Sequence, residues 1–183
     1  LNPRMGDDNP DALRLFRYCG EAGLPVTVHI DYELGTGRTY PRPNWWYGGG
    51  FDAFARAVRA CPATTFLGHA PGFWAHISAD GQETTAAYPT GEVVPGGKIV
   101  ELLRSCPNLR CDISAGSGRN ALARDKRFAR EFLLEFQDRV LYGRDWFDNA
   151  HQELLAELDL PRDVLDKIMG GNAAKLLPPA QTT

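Results

Sequence analysis

Apolar residues recur along this chain in two alternating rhythms. Leu13, Phe16 and Cys19 share one face of a helical period, and the short run Val26-Thr27-Val28 behind them is apolar enough for a buried strand ending at His29. The same pair of elements returns three times. Phe51–Ala60 reads as an amphipathic helix before the strand Thr65–His69, and Gly96–Ser105 as a helix before Leu109–Ile113. Arg119–Phe136 reads as a helix, interrupted near Asp125, before Val140–Tyr142. The punctuation agrees with these limits. Asp8 or Asn9 can cap the first helix with Pro10 at its first position, and Gly20 and Gly23 stop it. Cys61-Pro62 and Cys106-Pro107 close the second and third helices, and Ala115-Gly116-Ser117-Gly118 reads as a turn. Further helical segments are predicted near Gln152–Glu157, Pro161–Ile168 and Asn172–Leu177, with a frayed tail from Pro178.

Helix and buried strand alternate with a period of about 40 residues, which requires parallel pairing with the helices outside. The connections are unequal. Those leaving the strand ends are long and aromatic: Asp31–Gly50 holds Trp45, Trp46 and Tyr47, and Pro71–Pro95 holds Phe73, Trp74, His76 and Tyr88. Those entering the strands are short. This is the asymmetry of a (β/α)8 TIM-type barrel, whose chemistry sits on the carboxyl-terminal face. The predicted fold class is therefore α/β of that type, and four units make half a barrel. One domain spans residues 1–178, followed by a tail at 179–183.

Composition narrows the class. At 183 residues and 20.2 kDa the chain can bury a real core, and 43% apolar with 23% charged residues is ordinary for a globular protein. A net charge of -3 gives no reason to expect nucleic acid or an anionic membrane. No run approaches the roughly 18 apolar residues of a membrane span, and no signal peptide is visible. Of the four cysteines, Cys19, Cys61 and Cys106 occupy equivalent helix ends and none forms a Cys-x-x-Cys pair with Cys111 or another. Packing in a reducing, cytoplasmic compartment is the expectation.

The strand ends carry the chemistry: His29, His69, Asp112 and, just past the fourth strand, Asp145. Each histidine alone is equally a buried side chain satisfied by a backbone carbonyl, and Asp145 alone can cap the next segment. Two histidines and one carboxylate at matching strand ends suit a divalent metal, which can be Zn²⁺, Mn²⁺, Fe²⁺ or Co²⁺. Around them, Trp45, Trp46 and Trp74 can line a substrate pocket or pack the two long loops together. Arg119, with Arg144, can hold a substrate carboxylate or make surface ion pairs. His151 opens a helix near Asp145, within reach of the site.

The stretches Gly23–His29, Phe66–His69, Pro107–Ser114, Arg139–Asp145 and Ile168–Leu177 resemble, in order and spacing, a known family. It is the amidohydrolase-related metal-dependent hydrolases, of the branch that includes aminocarboxymuconate semialdehyde decarboxylase. The resemblance implies that these are the last four β/α units of the barrel. It makes His29 the fifth-strand metal ligand, and His69 the sixth-strand histidine that orients or deprotonates water. Asp145 becomes the eighth-strand aspartate that binds metal and moves protons. It further implies a Zn²⁺-type site and a small-molecule substrate, a carboxylate, amide or lactone, that is hydrolysed or decarboxylated without oxidation. The family's first-strand His-x-His pair has no counterpart here. The expected partner is accordingly a missing amino-terminal half or a second copy of the chain, since the sheet would otherwise keep two open edges. The alternative is a half-barrel without catalysis that serves in assembly.

Overall fold

In the computed structural model the structure describes residues 6–30, 50–82, 86 and 88–176. Four strands form one parallel sheet in sequence order: β1 (Val26–His29), β2 (Phe66–His69), β3 (Leu109–Asp112) and β4 (Val140–Leu141). Each is preceded by helix: α1 (Pro10–Glu21), α2 (Gly50–Ala60), then α3 (Pro71–Trp74) and α4 (Lys98–Ser105), then α5 (Ala115–Ala123) and α6 (Lys126–Glu135). The chain continues through α7 (Ala150–Glu157), α8 (Arg162–Asp166), a π-turn at Lys167–Gly171, and α9 (Asn172–Ala174). This is a section of a (β/α)8-type barrel, as the periodicity predicts.

The local signals act as read. Asn9 caps α1, its side-chain oxygen accepting the Asp11 amide at 3.0 Å, with Pro10 next in line. Asp125 breaks the last long helix and caps α6 by accepting the Phe128 amide at 3.0 Å. Two segments differ from expectation. The stretch 115–118 is the first turn of α5 and not a free turn, because Gly118 lets that helix settle on the strand before it: a Cβ there would lie 2.4 Å from the Ile113 carbonyl oxygen. The segment after His69 coils immediately into α3 and two 3₁₀ turns, Ala75–Ile77 and Ala79–Gln82, with Phe73, Trp74, His76 and Ile77 all buried. An aromatic run read as a pocket wall is hydrophobic enough to be core.

The pleat sorts the sheet into two faces. Val28, Phe66, Gly68, Leu109 and Cys111 are buried under the helices. Phe66 meets Phe16 edge-on at 5.3 Å and Phe54 at 6.0 Å between ring centroids, so sheet and helices share one continuous core. The opposite face carries Thr27 and His29, which are exposed, and Leu67, His69, Arg110 and Asp112, which are half-buried. Gly68 belongs to the covered face for a steric reason. A Cβ at this position would stand 2.1 Å from Cε2 of Phe73. We expect Gly68→Ala to cost about 2 kcal/mol through overpacking, seen as an earlier urea midpoint; an unchanged midpoint would mean that Phe73 moves aside freely.

The end of the sheet where strands begin is held by a repeated device. A side chain just before β2, β3 and β4, and one after the last strand, donates to backbone carbonyls of the preceding unit. Thr64 Oγ1 donates to Phe16 O at 2.7 Å. Asn108 Nδ2 lies 3.0 Å from Val58 O, 3.1 Å from Cys61 O and 3.1 Å from Thr64 O. Arg139 likewise donates to Leu103 O, Cys106 O and Leu109 O, and Asn172 to Gln137 O and Val140 O. These groups are polar because the turns they close leave buried carbonyls that need donors. All four cysteines are free, and Cys61, Cys106 and Cys111 are buried. No described helix is long and apolar enough to cross a membrane.

Candidate active site

Register brings the first two candidates together. His29 on β1 pairs directly with His69 on β2, so both side chains leave the same face at the carboxyl ends of adjacent strands. Their rings lie 5.2 Å apart, tilted by 56°. The third member of this group is Asp112, at the end of β3. Its Oδ2 stands 3.2 Å from His69 Nδ1. Ser114 closes the arrangement: its amide donates to Asp112 Oδ1 at 2.8 Å and its hydroxyl to Oδ2 at 3.0 Å, while Oγ lies 3.4 Å from His69 Nδ1. Burial pushes the Asp112 carboxyl up, but the hydrogen bonds from His69 and Ser114 outweigh it and hold the group below its ordinary range. Asp112 is therefore a carboxylate that only accepts.

The backbone supports this geometry at some conformational cost. Ala70, next to His69, has φ 84°, and Ala115, next to Ser114, has φ 62°. Left-handed alanines of this kind are strained by roughly 1–3 kcal/mol and persist where packing over-determines them. Here the turn at Ala70 carries the chain into α3, so that Trp74 Nε1 can donate to the Asp112 carbonyl at 3.0 Å.

The remaining candidates are placed differently. Asp145 lies beyond β4, which ends at Leu141, in an exposed bend. Among the described residues no three of His, Cys, Asp and Glu come together as a group that could hold a metal. His29 and His69 stand side by side at adjacent strand ends, and Asp145, past the end of β4 two strands away from β2, does not join them. Trp74 is buried among Phe73 and Phe132, which makes it a core residue rather than a pocket wall. His151 is buried as well. Its Nε2 donates to Ala115 O at 3.0 Å, and its ring meets Tyr142 edge-on. Arg119 is exposed, with Nε 3.4 Å from Ala150 O. Arg144 turns its guanidinium to Asp148 O. Trp45 and Trp46 lie outside the described residues. The pair that sequence reading missed is Asp112 with Ser114. Its signal was the recurrence of a metal-competent or acidic residue at every strand end, and Asp112 was the one with no assigned role.

The sequence matches the amidohydrolase family over residues 1–178. The chain belongs to that family. No curated protein matches it. Several solved structures resemble this chain in fold. One is 5-carboxyvanillate decarboxylase LigW from Sphingomonas paucimobilis, at 20% identity and a TM-score of 0.56, covering 94% of this chain and 54% of that one. Another is an amidohydrolase from Burkholderia multivorans with bound zinc, at 14% identity and 0.52, covering 93% and 59%. A third is a dihydroxybenzoic acid decarboxylase from Polaromonas sp. JS666 with bound manganese and the inhibitor 2-nitroresorcinol, at 16% and 0.51, covering 93% and 55%. This amidohydrolase chain thus spans little more than half the length of each. The fold is shared with structures that hold metals, zinc in one and manganese in another.

Proposed function

We propose that this chain forms the carboxyl-terminal half of a metal-dependent hydrolase barrel acting on a small carboxylate, amide or lactone. The observation that carries the reading is the in-register placement of His29 and His69 at adjacent strand ends, with His69 backed by Asp112. His29 and Asp145 would hold a divalent metal, Zn²⁺ first and Mn²⁺, Fe²⁺ or Co²⁺ otherwise, with further ligands from the completing half. When bound, the metal would polarise the substrate carbonyl and make water acidic enough to attack near neutral pH. His69 would accept the proton of the attacking water and return it to the leaving group. Arg119 and His151 remain candidates for substrate contact only if the completed barrel redirects them.

A second reading, non-oxidative decarboxylation of an aromatic acid, is supported by the names of two fold neighbours, the carboxyvanillate and dihydroxybenzoic acid decarboxylases. The same strand-end residues serve both reactions, and the substrate decides between them.

Elemental analysis of the purified chain, wild type beside His29→Ala and Asp145→Ala, tests the reading. About one metal equivalent in the wild type, lost in both variants, is the expected result. A wild-type chain that holds no zinc or manganese after dialysis against either would overturn the assignment of these ligands and favour an assembly role without catalysis.

A further inference from the structure

We propose that Asp112 and Ser114 form a positioning pair that locks His69 in its Nδ1–H tautomer, leaving the Nε2 lone pair as the working atom. The inference deepens the role proposed for His69 and rests on that reading only for its consequence in catalysis. The tautomer itself follows from counting donors and acceptors. Asp112 Oδ1 takes the Ser114 amide proton, and Oδ2 takes the Ser114 hydroxyl proton at 3.0 Å. An ionised carboxylate has no proton to give. If Nδ1 were the bare nitrogen, its lone pair would face those of Oδ2 across 3.2 Å, two acceptors pressed together with no proton between them. The Ser114 hydroxyl does not relieve this, because its nearer partner is Oδ2 and Nδ1 lies at 3.4 Å. A proton on Nδ1 turns the same contact into a hydrogen bond of ordinary length.

The pair is itself held still. Asp112 is fixed through its carbonyl by the Trp74 indole and through both carboxylate oxygens by Ser114. A side chain at Gly143 would come within 3.3 Å of the Ser114 Cβ and 3.6 Å of Asp112 Oδ1, so the chain leaving β4 passes close over the pair without displacing it. Among the described residues, Nε2 of His69 makes no hydrogen bond. It is the atom left over for a ligand or a proton. Hydrogen-bonded acids behind a working imidazole fix its ring orientation and raise its basicity in the same way.

The test is the long-range ¹H–¹⁵N spectrum of the histidine rings of the whole chain in metal-free buffer. It is run at about pH 9, more than two units above an ordinary histidine pKa near 6.5. The expected result is a pyrrole-type Nδ1 and a pyridine-type Nε2 for His69, against the preference of a free imidazole for Nε2–H. Asp112→Asn should move His69 toward Nε2–H, because the asparagine amide can donate to Nδ1, whereas Ser114→Ala should keep Nδ1–H. An Nε2–H signal for His69 in the wild type overturns the proposal without any variant. Unchanged tautomers in a folded Asp112→Asn overturn it equally. Neither outcome depends on metal, so failure here is distinct from failure of the metal assignment. In the completed enzyme, Asp112→Asn should lower kcat by about 10–100-fold with little change in KM. An equal loss through KM would mark the residue as merely structural.

Discussion

Replacing Asp7 by asparagine should stabilise this chain by as much as about 4 kcal/mol at pH 8 and by almost nothing at pH 4. Asp7 is wholly buried, and among the described residues neither carboxylate oxygen has a hydrogen-bond partner. It lies at the head of a groove of about 330 Å³ lined by Leu15, Phe16 and the strand Val26–His29. Burial, and secondarily the neighbouring charge of Asp8, raise its carboxyl from 3.8 to about 7. The folded chain thus binds this proton more tightly than the unfolded chain. Stability is complete below the unfolded value of 3.8 and declines as pH rises through about 7, beyond which both states are ionised and the loss levels off. A gap of about three units is worth about 4 kcal/mol at 1.36 kcal/mol per unit. The amide of asparagine resembles the protonated acid in size and in unpaired groups, so the variant escapes the ionisation penalty without introducing another. Urea denaturation of both proteins between about pH 4 and pH 8 checks this. The wild-type curve should fall with pH while the variant stays level; parallel curves would show that Asp7 ionises in the fold without penalty.

Asn108→Ala should destabilise the chain by about 3 kcal/mol, among the larger losses available to a single polar residue. One amide nitrogen serves three carbonyls, those of Val58, Cys61 and Thr64, which lie where α2 turns into β2. Removing it leaves the Val58 and Thr64 carbonyls short of a donor beside a buried core, while Cys61 O keeps the Thr64 amide at 3.0 Å; an unsatisfied buried carbonyl costs about 1–3 kcal/mol. Partial hydration of this half-buried turn keeps the sum in the lower half of two such penalties. Asn108→Asp should be worse than alanine, because a carboxylate would set more oxygen lone pairs against the same carbonyls. The shift in urea midpoint measures both. A loss under about 1 kcal/mol for Asn108→Ala would mean that water replaces the amide, and that the repeated side-chain closure of these turns is not what holds the strand starts.

The sequence by itself determined the alternation of helix and strand, the parallel order and the strand ends, because those depend on local quantities. Periodicity placed Phe16 and Val28 on faces that must be covered, Asn9 with Pro10 started a helix through its own backbone chemistry, and Asp125 interrupted one in the same way. The family likeness along residues 23–177 was legible for the same reason: the turns around His29, His69 and Asp145 are short contiguous motifs. Tertiary structure decided what depends on neighbours distant in the chain. The stretch 115–118 read as a turn until the end of β3 lay against Gly118 and left no room there for a side chain. Trp74 and His151 read as site residues until burial gave one to the core and the other to the Ala115 carbonyl. Above all, nothing in the spacing of residues 69, 112 and 114 says that they touch. That contact exists because parallel register carries β2 and β3 to the same height, where an acceptor-only carboxylate meets an imidazole nitrogen. Local pattern fixes which elements form; only their packing fixes which polar atoms must share a proton.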